Sequence, residues 1–274
     1  MITFYFISFI AKFLSVLSFD IFRIRRSIIL QNLDIVFANT KTLKEKKQIG
    51  RRSMTSFFST LLEFIVAKRL FPKAKINFIN KQLADTIFKQ NTGAYAMCIH
   101  MSNWELLCHI NAKTYTPVHV VVKNIGKGFV AKWVENVRKH IGYSLIDRQG
   151  HLSATTQIFN AIDKKEIVGF IVDQKRPSGE HLPFFGKLAS TNNSLAKLYL
   201  RKKAPIVPVI IKRTKPGCYD VIYFPQFLIE EDNSIEFAQL VTENTKRMNL
   251  QVEQMILQNP QEYFWMHNRW DLKK

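Results

Sequence analysis

From residue 94 onward, short apolar segments alternate with stretches whose apolar residues recur at helical spacing. The strand-like segments cover residues 95–99, 117–122, 143–146, 167–172 and 206–211, and residues 219–224 are predicted as an edge strand. Short, β-branched segments separated by helical patterns are typical of an α/β sheet. The sequence therefore predicts an α/β fold in which helices flank a mixed central sheet.

The predicted helices lie before and between these strands. Residues 27–70 are predicted to be helical, with an apolar helix over 54–66. A second helix covers residues 129–141, a third contains Leu195 and Leu198, and a long helix runs from Asn233 or Ser234 to just before Pro260. Gly142 is predicted as the C′ residue of the second helix, and Thr191 or Asn192 as the N-cap of the third. A basic run from Lys41 to Arg52 is placed near a turn and a helix start.

Three polar residues come just after predicted strands. His100 comes after 95–99, Arg148 after 143–146, and Asp173 after 167–172. Open α/β sheets bind ligands at the carboxyl ends of their strands, so charged groups converging there are the arrangement that a site needs. Arg148 as a surface residue and Asp173 as a turn cap are the structural alternatives.

His100 and Glu105 lie five residues apart, at the end of a strand and at the start of a helix. The two side chains can meet if His100 lies on the loop and Glu105 on the first helical turn. A structural explanation also exists, because Ser102 at N-cap and Glu105 at N3 form a capping box. That explanation leaves His100 unaccounted for. We therefore expect His100 to be a general base beside Glu105.

The amino-terminal residues 1–22 are strongly apolar and aromatic, with Lys12 inside the segment. Arg23, Arg25 and Arg26 follow directly. A signal peptide carries its basic residues before the apolar core, so the order here is wrong for one. The preferred interpretation is an interfacial or half-inserted anchor helix over residues 1–26, followed by a single domain over 27–274. A helix packed on the domain is the alternative.

The charge balance is strongly basic, with 40 Lys and Arg against 21 Asp and Glu and a formal net charge of +19. Such a surface favours a polyanionic partner: nucleic acid, an anionic membrane or an acidic protein. Zinc spacings and aromatic RNA-binding motifs are lacking in the sequence, so nucleic acid is disfavoured. Cys98, Cys108 and Cys218 lack the spacing of a disulfide framework or a zinc site.

The stretch His100-Met-Ser-Asn-Trp-Glu105 resembles the H-x4-(D/E) motif of membrane glycerolipid acyltransferases, in the form found in the late acyltransferases of lipid A biosynthesis. Further stretches are similar to that family in the expected order: Arg25-Arg26 through Asn32-Leu33 and Phe37, Asp173-Gln174, Pro183-Phe-Phe-Gly-Lys187 with Ser190-Thr191, and Tyr263-Phe-Trp-Met-His267-Asn-Arg269-Trp270. The resemblance spans about residues 25–270.

This resemblance implies transfer of a fatty acyl group from an acyl carrier protein thioester to a hydroxyl of a phosphorylated lipid A precursor, on one of its hydroxyacyl chains. The expected place is the cytoplasmic face of the bacterial inner membrane, against its anionic surface. His100 would take the hydroxyl proton, and Glu105 would hold the imidazole ring. Neither a metal nor a cofactor is expected.

The resemblance and the residue chemistry together give a set of expected substrate-binding residues: Asn103, Arg148, Asp173, Gln174, Lys175, Arg176, Phe184 and Phe185. Phe184 and Phe185, predicted to lie in a loop, are candidates for the wall of an acyl groove, with core packing as the alternative. Arg148 is a candidate for phosphate binding or for the oxyanion, and helix amides after Ser102 compete for the latter role. His267 is a weak candidate for a base or a metal ligand.

Three rival functions stay open at this point. A related acyltransferase acting on another glycolipid or lysophospholipid differs from the preferred function in the acceptor. A basic nucleic-acid-binding protein is suggested by the charge. A catalytically inactive membrane scaffold is disfavoured because His100 and Glu105 are both present.

Overall fold

A seven-stranded sheet forms the centre of the molecule, in a computed structural model that describes residues 1–89, 92–121, 128–146, 153–232 and 234–272. The strands are β1 (Lys75–Ile79), β2 (Ala94–Cys98), β3 (Val118–Val121), β4 (Tyr143–Ile146), β5 (Ile167–Ile171), β8 (Ile206–Lys215) and β9 (Cys218–Tyr223), and β6 (Glu180–Phe184) and β7 (Lys187–Thr191) form a separate hairpin. The sheet order is β1-β9-β8-β2-β5-β3-β4, and its pairings are parallel except for β8 with β9.

Helices cover both faces of this sheet. They are α1 (Ile2–Ser15), continued by a π-helical segment (Val16–Ile21), α2 (Arg26–Phe37), α3 (Leu43–Ile65), α4 (Ala67–Leu70), α5 (Lys81–Phe88), α6 (Trp104–Thr114), α7 (Phe129–His140), α8 (Ala154–Asp163), α9 (Ser194–Arg201) and α10 (Phe237–Leu257). Along β2, Tyr95 and Met97 enter one apolar core, and Ala96 and Cys98 enter the other. A strand buried on both faces is the expected result in a parallel sheet.

The predicted α/β fold with a mixed sheet is confirmed, but its edge was misplaced. Residues 219–224 were expected at the edge, whereas β9 pairs with β8 on one side and with β1 on the other. The strand β1 was not predicted, because Lys75 and Asn77 interrupt its apolar pattern. Gly142 does follow α7 with φ of 98°, as a C′ residue should.

The stretch around Phe184 and Phe185 forms a β-hairpin, so the predicted loop is wrong. Phe185 and Gly186 connect β6 to β7 with φ angles of 48° and 72°. Positive φ at both central residues is the signature of a type I′ turn, whose twist matches that of the paired strands. A phenylalanine is an unusual residue for the first of these positions, which is why the turn was not recognised.

Other predicted boundaries shift by a few residues. The basic run from Lys41 to Arg52 lies mainly within α3, because Thr42 and Glu45 form a capping box that starts this helix earlier. The N-cap of α9 is Asn193 rather than Thr191 or Asn192. The long helix α10 begins at Phe237 instead of Ser234, and residues 122 and 233 lie outside the described ranges.

The amino-terminal helix packs along α3 and is fastened at both ends. Near its carboxyl end, the Ser15 hydroxyl donates to the Arg51 carbonyl at 2.7 Å, and Arg51 makes two bonds to Asp20 at 2.6 and 2.9 Å. Near its amino end, Phe4 lies so close to Gly217 that a Cβ on that glycine would be 2.6 Å from the Phe4 ring. One face of this segment is therefore part of the folded body.

Candidate active site

The strand register brings His100 and Asp173 together. Cys98 at the end of β2 pairs with Ile171 at the end of β5, in neighbouring parallel strands. Each of the two polar residues follows two positions after its paired residue, so both leave the same edge of the sheet side by side. This is the carboxyl edge at which α/β proteins bind ligands.

Asp173 holds His100 through two hydrogen bonds. The Nδ1 atom of His100 lies 2.8 Å from one carboxylate oxygen of Asp173, and the His100 backbone N–H donates to the other at 3.1 Å. Burial alone would raise the pKa of Asp173, but the charge and hydrogen bonds of His100 outweigh it and lower that pKa below its usual value. The carboxylate is therefore ionised, and it accepts a hydrogen bond from Nδ1, which carries the proton.

This hydrogen bond determines the tautomer of the imidazole ring. With the proton on Nδ1, the lone pair of His100 lies on Nε2, which receives a long contact of 3.4 Å from the Gln174 amide nitrogen. The ring packs between Trp104 and Phe264, at centroid distances of 5.1 and 6.1 Å. In its neutral form a ring held in this way presents Nε2 as an acceptor, which can take a proton from a hydroxyl.

The predicted contact between His100 and Glu105 is wrong. Glu105 instead makes two hydrogen bonds with the Arg138 guanidinium, at 2.6 and 3.2 Å, and accepts one from the Tyr143 hydroxyl. Its side chain lies on α6, which turns it toward α7 and β4. The spacing argument failed because Asp173 already occupies the Nδ1 side of the imidazole, and the partners of Glu105 come from segments that the motif does not contain.

The predicted capping box at this helix is also wrong. Asn103 is the N-cap of α6, and its side-chain oxygen accepts from the Leu106 N–H at 2.9 Å. Ser102 adopts a φ of 50°, which moves the helix start by one residue. The Asn103 amide also donates to Glu63 at 2.6 Å. Asn103 is fully buried with its amide bonded inside the protein, so the structure does not bring it to a substrate.

A cleft of about 720 Å³ opens beside His100. Its apolar lining comes from both the sheet and the helices: Trp104, Val120, Val121, Ile158, Phe170, Ile171 and Leu198. Its polar lining includes Gln174, Lys175, Arg176, Asn192, Ser194, Lys197 and Arg201, together with Glu105, Arg138 and Tyr143. A concave space that combines apolar walls with convergent polar groups is typical of a ligand site.

Three of the predicted substrate-binding residues therefore reach the cleft: Gln174, Lys175 and Arg176. Asp173 lies behind them, 2% exposed and directed at His100. Lys175 also pairs with Asp271 at 2.5 Å, and Arg176 donates to the Ser194 hydroxyl at 2.9 Å. Arg148 lies outside the described residues.

Phe184 and Phe185 are not among the described residues that line the cleft. Phe184 is buried between the Trp270 ring, stacked at 5.4 Å, and the Arg269 guanidinium at 4.8 Å from its centroid. The alternative of core packing therefore describes Phe184 better than the acyl-groove prediction does. Arg269 in turn donates to the Ser190 carbonyl and the Thr191 hydroxyl, which ties the hairpin to the carboxyl-terminal segment.

The carboxyl-terminal segment packs against the loop that carries His100. The Phe264 N–H donates to the His100 carbonyl at 3.0 Å, and Met101 pairs with Tyr263 in an isolated bridge. Asn32 on α2 holds this segment in place through bonds to the carbonyls of Trp265 and His267, both at 2.8 Å. The amino-terminal and carboxyl-terminal motifs thus meet each other in the fold.

His267 has a structural position rather than that of a base. Its Nε2 accepts the Lys175 backbone N–H at 2.9 Å, and burial lowers the pKa of the imidazole to about 4. The ring is therefore neutral at pH 7 and fixes the segment that carries residues 173–175. Tyr263 is close by, and burial together with the Asp173 charge raises the pKa of its hydroxyl well above the usual value.

Arg138 and Tyr143 were not predicted from the sequence as residues of this site. Burial would lower the pKa of the Arg138 guanidinium, but Glu105 raises it above its usual value, and burial beside Glu105 also raises the pKa of Tyr143. The Arg138 Nη1 atom is buried and has no hydrogen-bond partner among the described residues. In the sequence, Arg138 is one of several basic residues near the end of a helix, which gives no signal of this position.

A histidine oriented by a buried aspartate, at the edge of a cleft lined by both apolar and polar side chains, is an arrangement that can take a proton from a bound substrate. The chain matches the family model described as bacterial lipid A biosynthesis acyltransferase over residues 2–272. It therefore belongs to that family, as its motifs indicated, and is an acyltransferase of lipid A synthesis. A comparison with curated proteins found no match.

Proposed function

We propose that this enzyme transfers a fatty acyl group from an acyl carrier protein thioester to a hydroxyl on a hydroxyacyl chain of a phosphorylated lipid A precursor. The observation that carries this proposal is the His100–Asp173 pair, with Nε2 directed toward the cleft residue Gln174. The family supplies the reaction class and the type of acceptor. The carrier-protein donor and the position of the hydroxyl belong to the proposal.

The reaction uses His100 as base and then as acid. Its Nε2 takes the proton of the acceptor hydroxyl while the hydroxyl oxygen forms a bond to the thioester carbonyl carbon. Negative charge then develops on the carbonyl oxygen. When the carbon–sulfur bond breaks, the leaving thiolate takes the proton from Nε2 and the neutral imidazole is restored. Asp173 stays ionised and stabilises the imidazolium between these steps.

Arg138 is proposed to stabilise the oxyanion. Glu105 binds its Nε and Nη2 atoms, and its buried Nη1 has no hydrogen-bond partner among the described residues. A preorganised donor in a site shielded from water gives the strongest stabilisation of a developing charge. Arg138 is preferred to the helix amides after Ser102, where the Leu106 N–H is already bonded to the Asn103 side chain.

The acyl chain is proposed to lie along the apolar part of the cleft. Phe170 comes from β5, and Ile158 and Leu198 come from helices that share its apolar core, whereas Val120 on β3 belongs to the core on the other face of the sheet. Burial of an alkyl chain against such side chains contributes about 0.8 kcal/mol per methylene. This surface replaces Phe184 and Phe185 as the proposed acyl-binding wall.

Attachment to the cytoplasmic face of the inner membrane is the second part of the proposal. Residues Ile2–Ile21 are long and apolar enough to cross a bilayer by length and composition. Their outer face exposes a row of apolar side chains at helical spacing: Ile2, Tyr5, Phe6, Phe9, Phe13 and Val16. Water does not favour such a stripe, and Arg23 and Arg25 beside it suit anionic headgroups.

The packing of this helix favours a position in the membrane plane. A spanning helix needs lipid on all sides, whereas Phe4, Ala11 and Phe19 are 1% exposed or less against the protein. While it stays docked, a spanning α1 would carry the charged residues of α3 into the hydrocarbon, at a cost of several kcal/mol. We therefore propose residues 1–26 as an interfacial anchor and residues 27–274 as a single catalytic domain.

Acyl transfer tests the first part of the proposal. Wild type and His100→Ala are compared with an acyl carrier protein donor and a lipid A precursor. The wild type is expected to turn over, and the variant to lose about 10²–10⁴-fold in rate with its fold retained. Unchanged transfer by His100→Ala would exclude the proposed base. Lysophospholipid and other glycolipid acceptors, and a free acyl thioester donor, are run in parallel to test the choice of substrates.

Depth measurements test the membrane geometry. Nitroxide labels on Ile2→Cys, Phe9→Cys and Val16→Cys lie on one helix face and about 10 Å apart along its axis. In vesicles of phosphatidylethanolamine and phosphatidylglycerol, a helix in the membrane plane gives three similar, shallow depths. A steady increase in depth from one label to the next would contradict this geometry. Wild-type protein treated with the same reagent corrects for labelling of the native cysteines.

A further inference from the structure

One side of α9 presents cations to the cleft. Ser194, Lys197, Leu198 and Arg201 all line it, at spacings of three and four residues that place them on one helical face. The row from Ser194 to Arg201 extends about 10 Å along the helix axis. It lies on the wall formed by α9, whereas Glu105 and Arg138 belong to α6 and α7.

Within the part of the chain that the structure describes, these cations have no neutralising partner. Among the described residues, no carboxylate lies within ion-pair distance of Arg176, Lys197 or Arg201. Arg201 instead lies over the Phe237 ring at 5.8 Å. Like charges one helical turn apart repel each other, so an anion bound between Lys197 and Arg201 would relieve their repulsion.

Arg176 places further positive charge at the start of the same row. Its Nη1 donates to the Ser194 hydroxyl at 2.9 Å and to the Asn192 side-chain oxygen at 3.3 Å, both of which are neutral. These bonds hold the guanidinium in place without cancelling its charge. The amino terminus of α9, where Ser194 lies, adds the positive end of the helix dipole.

We propose that Arg176, Lys197 and Arg201 bind a phosphate group of one of the substrates. Guanidinium and ammonium groups arranged around one space are the usual recognition elements for phosphate. The inference rests on the proposed function to the extent that this cleft is where acyl transfer occurs. The phosphate can belong to the acceptor lipid or to the arm that links the acyl group to the donor, and kinetics distinguish the two.

A double variant tests the phosphate site. Lys197→Gln/Arg201→Gln removes two charges from the cleft, and Lys68→Gln/Arg69→Gln removes one lysine and one arginine from a surface outside it. The cleft variant is expected to raise the KM of one substrate about tenfold with kcat retained. A rise for the acceptor assigns the site to the acceptor phosphate, and a rise for the donor assigns it to the donor. Unchanged KM values for both substrates would overturn the proposal.

A binding measurement separates this proposal from the transfer reaction itself. Inorganic pyrophosphate is titrated into each protein while the melting temperature is followed. Wild type and the Lys68/Arg69 control are expected to be stabilised, and the Lys197/Arg201 variant much less so. Equal stabilisation of all three proteins would overturn the phosphate site, even if acyl transfer is confirmed. Loss in the cleft variant alone would support the site, even if the tested acceptors are not acylated.

Discussion

Asp173 and Glu105 are both buried carboxylates near the loop that carries His100, yet they bind different partners. Asp173 accepts from the His100 ring at 2.8 Å, and Glu105 is paired with Arg138 at 2.6 Å. The first pair places a proton on the Nδ1 atom of His100, and the second holds the Arg138 guanidinium in place. The comparison shows that proximity in sequence selected the wrong acid, whereas strand register selects the right one: Asp173 is 73 residues away in the chain but follows the adjacent strand.

Of the substitutions in these two pairs, Asp173→Asn is expected to lower kcat the most. An asparagine amide can donate to Nδ1, which would move the ring proton to Nε2 and remove the base. We expect a loss of about 10³–10⁴-fold in kcat, as for a catalytic histidine whose tautomer is reversed. The measurement is acyl transfer under single-turnover conditions. A rate for Asp173→Asn equal to that of the wild type would refute the role of Asp173 in setting the His100 tautomer.

Arg138→Lys is expected to have the next largest effect. Lysine keeps the charge but lacks the fork that binds Glu105 with two nitrogens and leaves a third for the oxyanion. A fall of about 10²–10³-fold in kcat, with little change in KM, is the expected result for a lost oxyanion donor. A rise in KM at unchanged kcat would instead make Arg138 a substrate-binding residue.

Glu105→Gln sharpens the comparison by separating catalysis from stability. It leaves Arg138 without its carboxylate in a site where both side chains are largely buried, so a loss of about 3–5 kcal/mol in the free energy of unfolding is expected. In Glu105→Gln the hydrogen bond between His100 and Asp173 is retained. This variant should therefore lose much less kcat than Asp173→Asn. Urea unfolding and kinetics on the same sample measure both quantities. An equal loss of kcat in Glu105→Gln and Asp173→Asn would contradict the different roles assigned to the two carboxylates.

His267→Gln tests the support behind Asp173 and should have the smallest effect on turnover. The folded-state pKa of His267 is about 4, below the usual 6.5, so the unfolded chain binds the extra proton first as the pH falls. The wild type therefore loses stability between about pH 6.5 and pH 4, and the variant should lose less over that interval. Glutamine can still accept the Lys175 N–H. Parallel stability curves for both proteins would contradict the buried neutral imidazole.

Much of the sheet was predictable, since buried parallel strands such as β2 and β5 are nearly continuous apolar segments. The half-exposed β1 and the β6–β7 hairpin were not, because Lys75 breaks one pattern and Phe185 occupies a position that normally takes glycine or asparagine. His100 and Asp173 were identified as residues after strands. Their pairing, and the position of Arg138, depend on strand order and helix orientation, which local patterns do not encode.

The most direct test of the central claim is the protonation state of the His100 ring, measured by nitrogen-15 NMR. Labelled histidines in wild type and Asp173→Asn are compared, and His100→Ala assigns the His100 signals among the seven histidines. The structure predicts that the neutral wild-type ring carries its proton on Nδ1, and that Asp173→Asn moves it to Nε2. A proton on Nε2 in the wild type would contradict His100 as the base that Asp173 orients.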